Sequence, residues 1–447
     1  MTREEARALA DRVLAFSKSA DQTRVNITST WGGNTRFADA SITTSGGITD
    51  VIVDVTVTIG RRRASASTNV LEDASLRRTV DLAAQLARLS PDDPELMPEL
   101  GPQTHATVNA YIEDTANLTP AARAGAVRRT IDGAGGRQLF SAGFLDVHAI
   151  AIAVATSNGL FAFHRTTDAG LSMTARTPDG TGSGWASAGS RDWGKIDPAA
   201  IGRAAARKAE SSRNPQATDA RPMTAVLEPQ AVNDLVPLLS SPLNARAADE
   251  GRSAFSKEGG GTRIGERVMD ERVTIYSDPA DPDLLALPFD VEGFPLRRIV
   301  WIDKGVLRNL SYTRFWAQRQ KRAATGTSMY DGSSNVLGGG LKMTGGTKTT
   351  EQLIAGCEHG VLVTHFFYIR SLEPRTVLYT GLTRDGAFLI EKGKVTKPLK
   401  NLRWNESPLL MLNRLEDIGR PEAVAAGRHM PALRIRDFNF TSLSDAV

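Results

Sequence analysis

The chain has 447 residues, of which 41% are hydrophobic, 23% charged and 6% aromatic. This is the balance of roughly two or three packed domains, and it excludes a disordered or fibrous chain. The 54 Lys and Arg against 50 Asp and Glu leave a net charge of only +4, and the basic runs at residues 61–63 and 319–322 are too short to form a nucleic-acid footprint.

In chain order, residues 3–18 place Ala6, Leu9, Ala10, Val13 and Leu14 at helical spacing, with Thr2 as N-cap. A strand at 24–28 precedes a longer one at 51–59. There Val51, Val53, Val55, Val57 and Ile59 alternate with polar residues, the pattern of a half-exposed antiparallel strand. Residues 73–90 read as helix, and the prolines from Pro91 to Pro102 mark a linker. A second unit has a helix at 120–133 and strands at 144–156 and 159–165 joined through Asn158-Gly159. That dipeptide is a hairpin signal because both residues tolerate positive φ. A helix at 199–212 ends this unit. Beyond Met223 the chain reads mostly as strand, at 268–276, 297–302, 361–369, 376–380 and 387–391, with a final helix at 407–418. The Gly- and Ser-rich segment 325–350 reads as a loop or a flap over substrate. The expected fold class is α+β: a small N-terminal unit (1–100) and a middle helix–strand unit (101–220), then a large, mostly antiparallel β C-terminal domain (221–447).

The single cysteine, Cys357, excludes an intrachain disulfide and fits a reducing compartment. Neither a signal peptide nor a stretch of 18 apolar residues is legible, so the expectation is a cytoplasmic protein without a membrane span. Among reactive groups, Cys357, His359 and His365 would share one face if 357–365 were a single strand, with Glu358 as a possible base. An ordinary core strand explains the same residues. His105, His148, His164 and His429 are scattered, and no pair of them has metal-ligand spacing along the chain. Ser240, Ser241 and Ser253 lack a nucleophile elbow and a neighbouring His. The run 259–265 lacks the Gly-Lys-Ser/Thr of a phosphate loop and reads as a tight turn. Asp290 and Glu292, at i and i+2 in Pro-Phe-Asp-Val-Glu-Gly, are candidate substrate- or partner-binding groups. The alternative is a turn held by Arg297 or Arg298.

Several phrases together resemble the TldD/PmbA family of zinc peptidases. They are Thr35-Arg36-Phe37-Ala38, Thr156-Ser157-Asn158-Gly159-Leu160-Phe161, Gly184-Trp185, Ser253-Ala254-Phe255-Ser256, Pro288-Phe289-Asp290-Val291-Glu292-Gly293 and Gly386-Ala387-Phe388-Leu389. The resemblance implies an assembly of two homologous subunits around an enclosed site. The TldD-type subunit carries His-Glu-x-x-x-His on a helix upstream of the Ser-x-Phe-Ser phrase, and a zinc-binding Cys near its C-terminus. In this chain residues 227–243 contain no His, and an ungapped count from Phe255 puts the two His positions at Val236 and Ser241. Residues 413–434 contain no Cys. The resemblance is therefore to the TldE/PmbA type. It implies no catalytic residue and no metal on this chain, zinc on a TldD-like partner, and an extended or unfolded peptide as substrate. Two other readings stand beside it: a homodimeric peptide-binding protein of the same fold, and a hydrolase with an unrecognised site around Cys357 and His359.

Overall fold

A computed structural model describes residues 1–285, 287–326, 340–425 and 427–444. Its N-terminal half is organised by six antiparallel strands: β1 (Gln22–Ala38), β2 (Ser41–Ile59), β3 (Arg62–Thr68), β4 (Phe140–Thr156), β5 (Phe161–Arg176) and β6 (Ser183–Ser190). Their order in the sheet is β3-β2-β1-β4-β5-β6. β1 pairs with β2 on one side and β4 on the other. The first two helix–strand units of the sequence thus share one continuous sheet, and chain distant in sequence meets along β1 and β4.

Side-chain alternation decides which face of this sheet is covered. Odd-numbered Val25 and Ile27 of β1 and Ala153 and Ala155 of β4 pack with helices α1 (Arg3–Phe16) and α2 (Asp73–Leu89). Phe37 of β1, Leu145 and Val147 of β4, and Leu171 and Met173 of β5 share a core with two further helices. After the single turn α3 (Glu113–Ala116), these are α4 (Pro120–Gly133) and α5 (Pro198–Ser211). All four long helices therefore lie on one face. Their starts are chemically defined. Thr2 accepts from the Glu5 backbone at 3.2 Å while Glu5 accepts from Thr2 N–H at 2.7 Å. Thr119 and Asp197 cap α4 and α5, each followed by Pro at the first position.

The C-terminal half is built on a large mixed, mainly antiparallel sheet. Its longest strand, Arg428–Leu443, pairs antiparallel with Pro222–Leu227 and with Leu415–Ala425. One apolar core holds this half together, with Trp301, Trp404, Phe255, Phe438 and Phe440 among its largest buried side chains.

Two sequence expectations differ here. The helix expected at 407–418 is only the turn Pro408–Met411, and Leu415–Ala425 is strand. Leu409, Met411, Leu412, Leu415 and Ile418 suit a helix face, but pairing with Arg428–Leu443 gives this segment interstrand hydrogen bonds instead. The strand expected at 268–276 shrinks to Ile275–Ser277. The stretch before it is tied by turns, with Val268 and Met269 N–H donating to the Gly305 carbonyl and Arg272 paired with Asp270 at 2.8 Å. In the Gly-rich segment, residues 327–339 lie outside the described residues. After them come the strand Leu341–Met343 and the helix Thr350–Ala355, capped by Thr349. No helix among the described residues is long and apolar enough to cross a membrane.

The crossing of α4 and α5 depends on the absence of a side chain at Gly202, where a Cβ would fall 2.0 Å from the Thr130 carbonyl oxygen. Gly202→Leu must push the helices apart. We expect a loss of about 1–3 kcal/mol or more in chemical denaturation, and no such loss for Gly125→Leu, where the nearest neighbour of a Cβ is the flexible end of Arg129 at 3.8 Å and Leu is the better helix former.

Candidate functional site

Among the described residues the even-numbered face of the N-terminal sheet carries no helix, and the C-terminal half meets the sheet at two places, the β4–β5 turn end and β6. Phe289 joins Val154, Leu160 and Ala162 in a small apolar cluster. Around it, side-chain donors reach main-chain acceptors: Asn26 Nδ2 to the Val291 carbonyl at 2.8 Å, and Arg314 Nη2 to the Pro98 carbonyl at 2.8 Å. His105 Nε2 lies 2.8 Å from the Gly293 carbonyl.

Asp290 and Glu292 sit at this seam and have different work. Asp290 is fully buried, and its Oδ1 accepts from the N–H groups of Glu292 and Phe294, both at 2.9 Å. It shapes the turn that presents Val291 and Gly293 to the N-terminal half. Glu292 pairs with Arg314 at 3.0 Å, with side chains 16% and 12% exposed. Neither Arg297 nor Arg298 holds this turn in the described hydrogen bonds; Arg298 lies 3.5 Å from Asp278. A second seam pair, Arg24 and Glu99 at 3.1 Å, is also buried. Burial pushes the Glu99 carboxyl up, and Arg24 opposes that shift. Removing one member of such a pair strands the other charge. We expect Arg314→Ala to destabilise the protein by about 3 kcal/mol in urea denaturation, and Glu292→Gln to lose less.

Cys357, His359 and His365 do not converge. Cys357 is buried before the strand His359–Val363, His359 is exposed, and His365 lies beyond the strand's other end. Six extended residues span about 20 Å, too far for two ligands of one ion. Burial also pushes the Cys357 thiol up, away from a reactive thiolate. His365 instead belongs to a second seam. Its ring stacks on Trp185 of β6 at 4.6 Å, and its Nδ1 lies 3.7 Å from Asp385, an ion-pair distance rather than a hydrogen bond. Asp385 accepts from Ser183 Oγ at 2.5 Å. Burial pushes the Asp385 carboxyl up, but His365 and Ser183 outweigh it, and the group rests below its ordinary value. Its contribution to stability is therefore complete above the ordinary carboxylate range and is lost as pH falls through the lowered value. Asp385→Asn should flatten the acid-side fall in stability below about pH 5, read from denaturation midpoints in a pH series.

The helix that precedes the Ser-x-Phe-Ser phrase is α6 (Pro229–Leu235), continued by a 3₁₀ turn Val236–Ser240. Val236 is fully buried and packs with Leu239, Leu243, Phe255 and Met269, while Ser241 is exposed. These two positions point into different surroundings, and the first offers no donor atom. They do not fit a zinc ion. Asp234, on the same helix, is occupied by Gln230 Nε2 at 2.8 Å and by the Phe366 N–H at 2.9 Å.

One constellation is not legible as a motif along the sequence. On the helix-free sheet face, His148 Nδ1 lies 3.1 Å from Asp168 Oδ1 and 3.8 Å from Asp146 Oδ2. All three side chains are half-buried. Asp146 and His148 are neighbours on one face of β4, and Asp168 is the cross-strand partner of His148 on β5.

Comparison with known proteins bears on the whole arrangement. Residues 109–213 match the PmbA/TldA metallopeptidase central domain, and residues 220–442 match the PmbA/TldA metallopeptidase C-terminal domain. The chain belongs to the PmbA/TldD family. The crystal structure of TldE from Thermococcus kodakarensis superposes with a TM-score of 0.86 at 17% identity, covering 99% of this chain and 100% of that one. A Thermotoga maritima protein described as a modulator of a DNA gyrase gives 0.86 at 17% identity, covering 98% and 100%. One from Bacteroides thetaiotaomicron with a similar description gives 0.85 at 20%, covering 98% and 99%. At these identities the likeness is one of fold. A metalloprotease of Archaeoglobus fulgidus is 26% identical over 166 residues, 35% of this chain and 37% of that protein's length. The PmbA/TldD fold thus accounts for the α+β architecture, including the large antiparallel C-terminal half.

Proposed function

We propose that this chain is the noncatalytic, TldE-like subunit of a cytoplasmic two-subunit zinc peptidase. Its zinc and catalytic groups would reside on a TldD-like partner that carries His-Glu-x-x-x-His. The observation that carries the reading is Val236. The position aligned with the first metal-binding His is an apolar side chain sealed in the core. A zinc hydrolase needs three protein ligands and an open position for water, and this place supplies none of them. The aligned second position is an exposed Ser, and residues 413–434 hold no Cys.

The role left to the chain is to wall the chamber and hold an extended, unfolded peptide. Its main-chain chemistry suits that role. β3 pairs only with the Val53–Ile59 part of β2, so residues 41–52 present an outer edge that no described strand pairs. Such an edge offers alternating N–H and C=O groups to an added strand.

Coexpression with a His-Glu-x-x-x-His partner of the family should give one stable complex on gel filtration. Peptidase activity toward unfolded peptides should require both chains. The purified chain alone, without a histidine tag, should carry less than about one tenth of an equivalent of zinc. Separate elution of the two proteins, or full peptidase activity from this chain alone, would overturn the proposal.

A further inference from the structure

We propose that Asp146, His148 and Asp168 form a binding site for one divalent first-row cation of the Mn²⁺ type on the helix-free face of the N-terminal sheet. One imidazole nitrogen and two carboxylate oxygens lie within 4.8 Å of one another. The His148 Nδ1 atom faces both carboxylates, at 3.1 and 3.8 Å. A cation seated between them would draw on donors from two adjacent strands whose register is continuous, since pairing between β4 and β5 runs unbroken from Phe140 to Ala155. Rigid strands hold such donors better than a loop does.

Two further features favour a cation. The first is charge. Among the described ion pairs, Asp146 and Asp168 have His148 as their sole partner, although the chain carries 54 Lys and Arg. Two carboxylates against one imidazole leave negative charge that a divalent ion would neutralise. The second is space. Two of the residues beside the cluster on the same face are glycines, Gly32 of β1 opposite His148 and Gly170 of β5 opposite Asp146, while Asn34 of β1 lies across from Asp146. A Cβ on Gly170 would stand 2.9 Å from Asp146 Oδ1, and one on Gly32 would stand 3.1 Å from the His148 ring. Neither glycine has a side chain to crowd the donors, and the three side chains keep 31%, 36% and 23% exposure, which leaves room for water at further coordination positions. Two hard oxygen donors with one nitrogen suit Mn²⁺ better than they suit the soft-ligand metals.

All three donors belong to the N-terminal sheet, whereas the family's zinc motif would lie in the C-terminal half, so the test needs no partner. The chain alone is titrated with Mn²⁺, and the loss of the free-ion signal is followed by electron paramagnetic resonance. The expected result is one Mn²⁺ per chain. Asp168→Asn, which preserves shape, and His148→Ala should each weaken binding about tenfold or more, whereas His359→Ala should leave it unchanged. Failure to bind Mn²⁺, or binding that survives both Asp168→Asn and His148→Ala, would overturn the proposal and leave an imidazole held by two carboxylates. Neither result alters the coexpression test of the peptidase assembly, and the zinc content is also read on the His148→Ala chain, so that zinc held at this site is not counted against that reading.

Discussion

The molecule depends on a sheet that is covered by helices on one face only. Odd-numbered apolar residues of β1, β4 and β5 bury themselves under four helices. Each strand therefore delivers its even-numbered residues to the other face as a direct consequence of the pleat. That face is where the C-terminal half docks and where the Asp146/His148/Asp168 cluster stands. A one-residue slip between β1 and β4 would exchange the two faces, and the helix-covered core and the docking face would be lost together.

The two halves are joined by chemistry of unequal kinds. At the first seam, an apolar contact around Phe289 is flanked by the Arg314/Glu292 and Arg24/Glu99 pairs. At the second, Trp185 stacks on His365 while Ser183 and His365 attend Asp385. Buried charge pairs contribute less net stability than their Coulomb energy suggests, because each ion must first leave water. Each pair lies within one half, Arg24/Glu99 in the first and Glu292/Arg314 in the second, and what they supply is position: they fix the side chains and turns that meet at the seam, Arg314 itself reaching across to the Pro98 carbonyl.

Much of this was legible in the sequence. The helices at the N-terminal side and the strand at 387–391 are where periodicity places them, because local spacing and tertiary burial agree there. The failures are places where they disagree. Residues 407–418 have helical spacing but were recruited by a strand partner. Val268 and its neighbours alternate but are held by turns around Asp270 and Gly305. Asp290 and Glu292 stand out in the sequence, yet their partners, backbone N–H groups and Arg314, are set by tertiary approach that spacing does not encode. The Asp146/His148/Asp168 cluster is a different case. Residues 148 and 168 stand symmetrically about Asn158, and the Asn158-Gly159 turn was itself legible. Extending the hairpin register from its tip pairs them. Helical metal motifs show as short spacings along the chain, whereas these donors meet across a hairpin and leave no such spacing.

The first seam has one more property. On the receiving side its polar contacts end on the main-chain carbonyls of Pro98, Val291 and Gly293. A carbonyl is present whatever side chain its residue bears. Substitutions at Pro98 and Val291 can thus accumulate without erasing the acceptors, provided the local backbone path is kept, whereas Gly293, at φ +77° and packed on Leu160, is held to glycine. A joint made this way tolerates divergence in its composition while holding its geometry. That is one physical route by which chains only 17% identical can keep nearly the same arrangement from end to end.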